Sequence, residues 1–163
     1  MKKLIILMLV TLFSGLSAIA QDMVYGMSPR IYVFDKNTDK FVYDKTYSGI
    51  IKLVVDLDND IISMYINNEK TNVIHTTGYK FYDNKDNLLS NKKLSKYLKK
   101  DKSNKISSMV IEGTDQDDIY YNIILYRTKQ TIAIMIMDNK NALAIYYDKI
   151  SEDEYNNEIL SNY

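Results

Sequence analysis

The chain has no cysteine and no tryptophan, and only one histidine, one proline and five glycines in 163 residues. Each scarcity excludes something. Without cysteine there is no disulfide, no thiolate–metal site and no lipid attached through a processed cysteine, so the fold must hold by packing and hydrogen bonds alone. A lone histidine, His75, cannot supply the several nitrogen or sulfur donors of a closed zinc site, and it reads as a half-buried strand residue. No G-x-S-x-G, no phosphate-cradling glycine loop and no H-E-x-x-H occurs, so no cofactor is expected. Charge of one sign is missing as well: 21 basic residues face 21 acidic ones. That balance gives no whole-molecule attraction to nucleic acid or to anionic lipid.

What is present begins with an export signal. Lys2 and Lys3 precede the apolar run Leu4–Phe13, and Ala18-Ile19-Ala20 has the small-x-small pattern of a cleavage site. Leu4 to Ile19 spans sixteen residues, short of the ~20 that a membrane-spanning helix needs. The expectation is a signal peptide over 1–20, cleavage after Ala20, and a soluble single domain over 21–163 in the periplasm or outside the cell. Removing Lys2 and Lys3 leaves 19 basic residues against 21 acidic ones.

The mature sequence is a succession of short alternating runs separated by polar turns, the pattern of an antiparallel sandwich or barrel. Gln21–Pro29 reads as an irregular lead-in. Strands follow at Arg30–Asp35, Phe41–Tyr47, Ile50–Leu57, Ile61–Ile66, Thr71–Tyr82 and Ile106–Glu112. Three more, Asp118–Arg127, Thr131–Met137 and Ala142–Tyr147, form a meander joined by short polar breaks. Between them Asp83–Lys105 carries eight lysines, with Leu94, Tyr97 and Leu98 at helical spacing, and predicts a short amphipathic helix near 89–99 over a sheet edge or barrel mouth. Ser151-Glu152-Asp153-Glu154 is a capping box that opens a short C-terminal helix. The resulting expectation is an all-β or β-rich antiparallel fold of about eight strands, an up-and-down barrel or strongly curved sheet. A two-sheet sandwich is the alternative. In strand number and export it resembles the lipocalin and calycin class in architecture only. The Gly-x-Trp start of lipocalins is missing.

Two groups of carboxylates invite a metal or catalytic reading. Asp56-x-Asp58-x-Asp60 begins like a calcium loop, but Ile61 and Asn67 stand where an EF-hand needs glycine and glutamate. It reads as a hairpin turn, as does Asp115–Asp118, and no metal site is expected.

The last two strands depart from simple alternation, because both of their faces are apolar. If they pair through Asp138–Asn141, residues whose positions sum to 279 lie opposite one another. Ile132, Ile134 and Ile136 then share a face with Leu143, Ile145 and Tyr147, bulky and branched as a core should be. Ala133, Met135 and Met137 share the other with Ala142, Ala144 and Tyr146. That mixture of small and flexible residues leaves adaptable space. Ala133, Met135, Met137, Ala144 and Tyr146 are the candidate binding residues. The expected function is a non-catalytic binding module for an apolar or aromatic small molecule or a protein partner. The alternative is an extracytoplasmic hydrolase built on a carboxylate pair.

Overall fold

The computed structural model describes residues 21–161 except 57, 100–102, 128 and 139–140. The expected signal peptide and its cleavage site lie outside the described residues. The elements run β1 (Gln21–Asp35), β2 (Lys40–Thr46), β3 (Ile50–Asp56), β4 (Ile61–Ile66), β5 (Glu69–Asp83), α1 (Asn91–Lys99) and β6 (Ile106–Thr114). The chain then continues through β7 (Tyr120–Tyr126), β8 (Thr131–Met137), β9 (Ala142–Ile150) and α2 (Glu152–Ser161). Each strand pairs antiparallel with its neighbours in the order β2-β1-β3-β4-β5-β6-β7-β8-β9, and β1 also pairs with β9. That last pairing closes eight strands into a barrel and leaves β2 as an added ninth.

β1 makes both arrangements possible. Its first half pairs with β3, from Gln21 opposite Asp56 to Met27 opposite Ile50. Its second half pairs with β2, from Arg30 opposite Thr46 to Asp35 opposite Lys40. The handover falls at Ser28 and Pro29, where Ser28 takes φ 53° and the register against β9 slips between Met27 and Arg30. A proline without an N–H is tolerated there because the ladder is already interrupted. Gln21–Pro29 is thus strand rather than lead-in, held by β3 over Gln21–Met27 and on the other side by β9 at Tyr25–Met27. Gly26 belongs to the same adjustment: a Cβ there would come within 2.8 Å of Tyr147 Cβ.

The inner faces supply one continuous core. Ile51, Leu53, Ile62, Ile74, Met109, Ile111, Ile123, Leu125, Ile132 and Ile134 are all essentially inaccessible, and they belong to one cluster with Tyr121 and Tyr147. The barrel interior is therefore filled by side chains, as small barrels allow. Leu89, Leu94 and Tyr97 join this cluster, so α1 covers the barrel where β5 ends and β6 begins. Lys93 Nζ donates to Asp83 Oδ2 at 3.0 Å and ties that helix to β5. α2 packs on the outside through Tyr155, whose ring centroid lies 4.8 Å from that of Tyr25. Its N-terminus is the expected capping box, with Glu154 N donating to Ser151 Oγ and Glu154 Oε2 accepting from Ser151 N.

Candidate functional site

β8 and β9 pair in the register expected from the sequence, with Met137 opposite Ala142, Met135 opposite Ala144 and Ala133 opposite Tyr146. The isoleucine face is the core side. The alanine and methionine face is the outer wall of the barrel. On it Ala133 lies between Ile124 of β7 and Tyr146 of β9, and Ala144 between Met135 of β8 and Tyr32 of β1. Both alanines are buried, because longer neighbours on either side reach over them.

A groove of about 460 Å³ opens over this part of the wall, with Tyr32, Phe41, Tyr126 and Tyr146 as its aromatic sides. Its polar members are Arg30, Lys129 and Thr131. The rings form a band: Tyr32 stands edge-on to Tyr146 at 5.3 Å and to Tyr43 at 5.5 Å, and Phe34 edge-on to Phe41 at 5.4 Å. Edge-to-face pairs at these separations are favourable and fix ring orientation.

Of the five residues singled out from the sequence, Tyr146 lines the groove directly. Ala133 and Ala144 sit in the ladders beside it, while Met135 and Met137 continue the same face away from it, half-buried and opposite Asn122 and Tyr120. Arg30, Tyr32, Phe41, Tyr126, Lys129 and Thr131 were missed. Tyr126, Lys129 and Thr131 come from the β7–β8 hairpin beside β9, whereas Arg30, Tyr32 and Phe41 join them only through the β1–β9 closure and the β1–β2 hairpin, and nothing local in the sequence announces a pairing across more than a hundred residues. The one available signal was the aromatic, alternating run Arg30–Asp35.

The electrostatics of the groove are simple. Arg30 binds Asp148 in a fork, Nη1 to Oδ2 and Nη2 to Oδ1, both 2.8 Å. These hydrogen bonds raise the guanidinium further above its ordinary value and lower the Asp148 carboxyl. Both side chains are more than a third exposed, so the pair orients Arg30 more than it stabilises the fold. Lys129 Nζ lies 4.5 Å above the ring of Tyr126, a cation–π contact. With Arg30 compensated by Asp148, Lys129 is the remaining cation among the lining residues, while the Asp86 carboxylate acts on Tyr126 from nearby. Burial raises the Tyr146 and Tyr126 hydroxyls, so both are neutral donors at physiological pH.

Asp115, Glu112 and Asp56 are engaged in structure. Asp115, at the turn into β7, accepts from Tyr121 Oη at 3.0 Å, Asn72 Nδ2 at 3.2 Å and the amides of Asp117 and Ile119. Burial alone would raise its carboxyl, but these donors outweigh burial and lower it. Lys80, followed by Tyr120, holds Glu112 low as well. A general acid of the glycosidase kind needs the opposite shift. Asp56 accepts from Asn59 N at 3.1 Å and Asn59 Nδ2 at 2.8 Å, the geometry of a closed turn. Among the described residues no group of three or more His, Cys, Asp or Glu is placed to hold a metal ion.

Comparison with known protein families, with curated proteins and with solved structures finds no match for this chain.

Proposed function

We propose that the protein is a non-catalytic binding module whose outer-wall groove takes a planar aromatic or apolar group bearing an anionic substituent. The observation that carries this reading is the aromatic groove beside Tyr146, lined on one side by the Lys129 ammonium, on a barrel whose interior is already filled. Tyrosine walls supply rigid contact area at little entropic cost, and a single cation orients an anion without demanding burial of an ion pair.

The dye 8-anilinonaphthalene-1-sulfonate has this chemistry and serves as the probe. Its fluorescence should rise on titration into the folded protein, and Tyr146→Ala should weaken binding by about tenfold or more through loss of one groove wall. Lys129→Ala should weaken it less and remove its salt dependence. Equal affinity in wild type and Tyr146→Ala, at unchanged denaturation midpoint, would contradict the reading.

The same proposal places the domain beyond the cytoplasmic membrane, in the periplasm or outside the cell. Support comes from Lys2-Lys3, the Leu4–Phe13 run and Ala18-Ile19-Ala20. Intact-mass analysis of the exported protein should give a chain starting at Gln21. A mass that retains Met1–Ala20 would refute this.

A further inference from the structure

Arg30 has more donors than Asp148 uses. A guanidinium holds its N–H groups in one rigid plane, and the fork to Asp148 takes one from Nη1 and one from Nη2. Nε–H and the neighbouring Nη–H form a second edge with the same parallel geometry. Among the described residues that edge has no hydrogen-bond partner. Nε is open to solvent as well, since the buried side-chain nitrogen without a partner among the described residues is Arg127 Nη1 instead.

The groove meets the guanidinium and not the carboxylate. Arg30 and Thr131 line it, whereas Asp148, opposite Thr131 in the β8–β9 ladder, does not. Asp148 therefore fixes the plane of Arg30 from outside the groove. Arg30 stands directly opposite Tyr146 in the β1–β9 ladder, and Tyr146 is edge-on to Tyr32 at 5.3 Å. Directly opposed side chains start about 5 Å apart. A ring resting on Tyr146 thus brings a substituent to the open edge of Arg30 only where that substituent is attached close to the ring. Lys129 differs in kind. Its ammonium, 4.5 Å above the Tyr126 ring, is a point charge on a flexible stem and attracts any anion without fixing its orientation.

We propose that Arg30, aimed by Asp148, is the specificity-determining residue of the groove, and that its open edge takes both oxygens of a carboxylate attached at or next to the aromatic ring of the ligand. The ligand class is then an aryl carboxylate. This rests on the reading of the groove as a site for an aromatic anion, and it adds which anion and which residue selects it. Lys129 draws the anion to the wall, and Arg30 chooses it by geometry. Because Asp148 offsets the charge of Arg30, recognition there falls to the paired hydrogen bonds rather than to charge alone. A primary amide of the same shape offers one acceptor oxygen and turns N–H groups toward the second donor, so this edge rejects it.

Calorimetric titration with 2-naphthoate and with its neutral isostere 2-naphthamide tests this in wild type and in Arg30→Lys. Wild type should bind the acid about tenfold or more tighter than the amide. Arg30→Lys keeps the positive charge but loses the planar edge, and it should cut that preference about tenfold. Lys129→Ala should cut it less, by an amount that fades as salt is raised. The ratio of the two affinities cancels any general damage that a substitution does to the groove, and denaturation midpoints confirm that each variant is folded. If wild type binds neither probe, the reading of the groove and this inference fail together. If wild type binds the acid but Arg30→Lys keeps the full preference, or Lys129→Ala cuts it more than Arg30→Lys does, the groove stands and the role of Arg30 is overturned.

Discussion

Asp83 shows how much one side chain can organise. Its Oδ1 accepts from the amides of Lys85 and Asn87 and from Asn87 Nδ2, at 3.0, 3.0 and 3.1 Å, while Oδ2 holds Lys93. The hydrogen bond from Lys93, then that from the Asn87 amide, lower the carboxyl far below its ordinary range. The unfolded chain binds a proton at this carboxyl near its reference value of about 3.9, whereas the folded chain does so only at lower pH. Its contribution to stability is therefore fully present above about pH 4 and is lost as the pH falls through the folded value. Asp83→Asn should lower stability at neutral pH, and the gap to wild type should narrow as the medium is acidified. Denaturant melts between neutral pH and strong acid check this. Parallel losses in the two proteins would show that Asp83 does not carry the effect. Sequence spacing offered no route to this residue, because Lys93 comes from the next element and the turn that aims Asp83 closes through backbone donors.

Elements with local signals were legible, and elements held by distant partners were not. β4 and β8 have the limits that alternation indicated, since polar turns and apolar runs there agree. The helix near Leu89–Lys99 and the capping box at Ser151 followed from spacing alone for the same reason. β1 was half missed because Gly26, Ser28 and Pro29 weaken every local strand signal, and what keeps Gln21–Pro29 extended is pairing with β3 and β9. β5 likewise runs longer than its irregular sequence suggests, with register shifts between Thr76 and Gly78 and between Tyr82 and Asp83 that absorb the irregularity. α2 is anchored mainly by the buried Tyr155 against Tyr25 and Ile50, with Ile159 packed beside it, and burial raises the Tyr25 hydroxyl to about 12. Tyr155→Ala should release the helix from the barrel while leaving the barrel intact. Hydrogen exchange should then lose protection at Glu152–Ser161 and keep it in β6–β8. Loss of protection throughout would mean that α2 is integral to the barrel.

The barrel as a whole divides its labour between the two faces of the same strands. Inward residues are branched, large and inaccessible, and they form one cluster from Val24 to Tyr147. Outward residues of β8, β9, β1 and β2 include the small, flexible and aromatic side chains that shape the groove and its band of rings. The faces were legible in the sequence because a period of two separates them. The groove was not, since it exists only once β1 closes against β9. Adjacent residues of β8 offer the most direct comparison. Ile134 is 1% exposed in the core, whereas Met135 is half-buried on the outer wall between Asn122 and Ala144. Urea melts of Ile134→Ala and Met135→Ala therefore test the division itself. The division predicts a loss of about 2–5 kcal/mol for Ile134→Ala, as large-to-small core changes give, and a clearly smaller loss for Met135→Ala. Equal destabilisation by the two substitutions would mean that both faces are core, and it would contradict a binding surface on the outer wall.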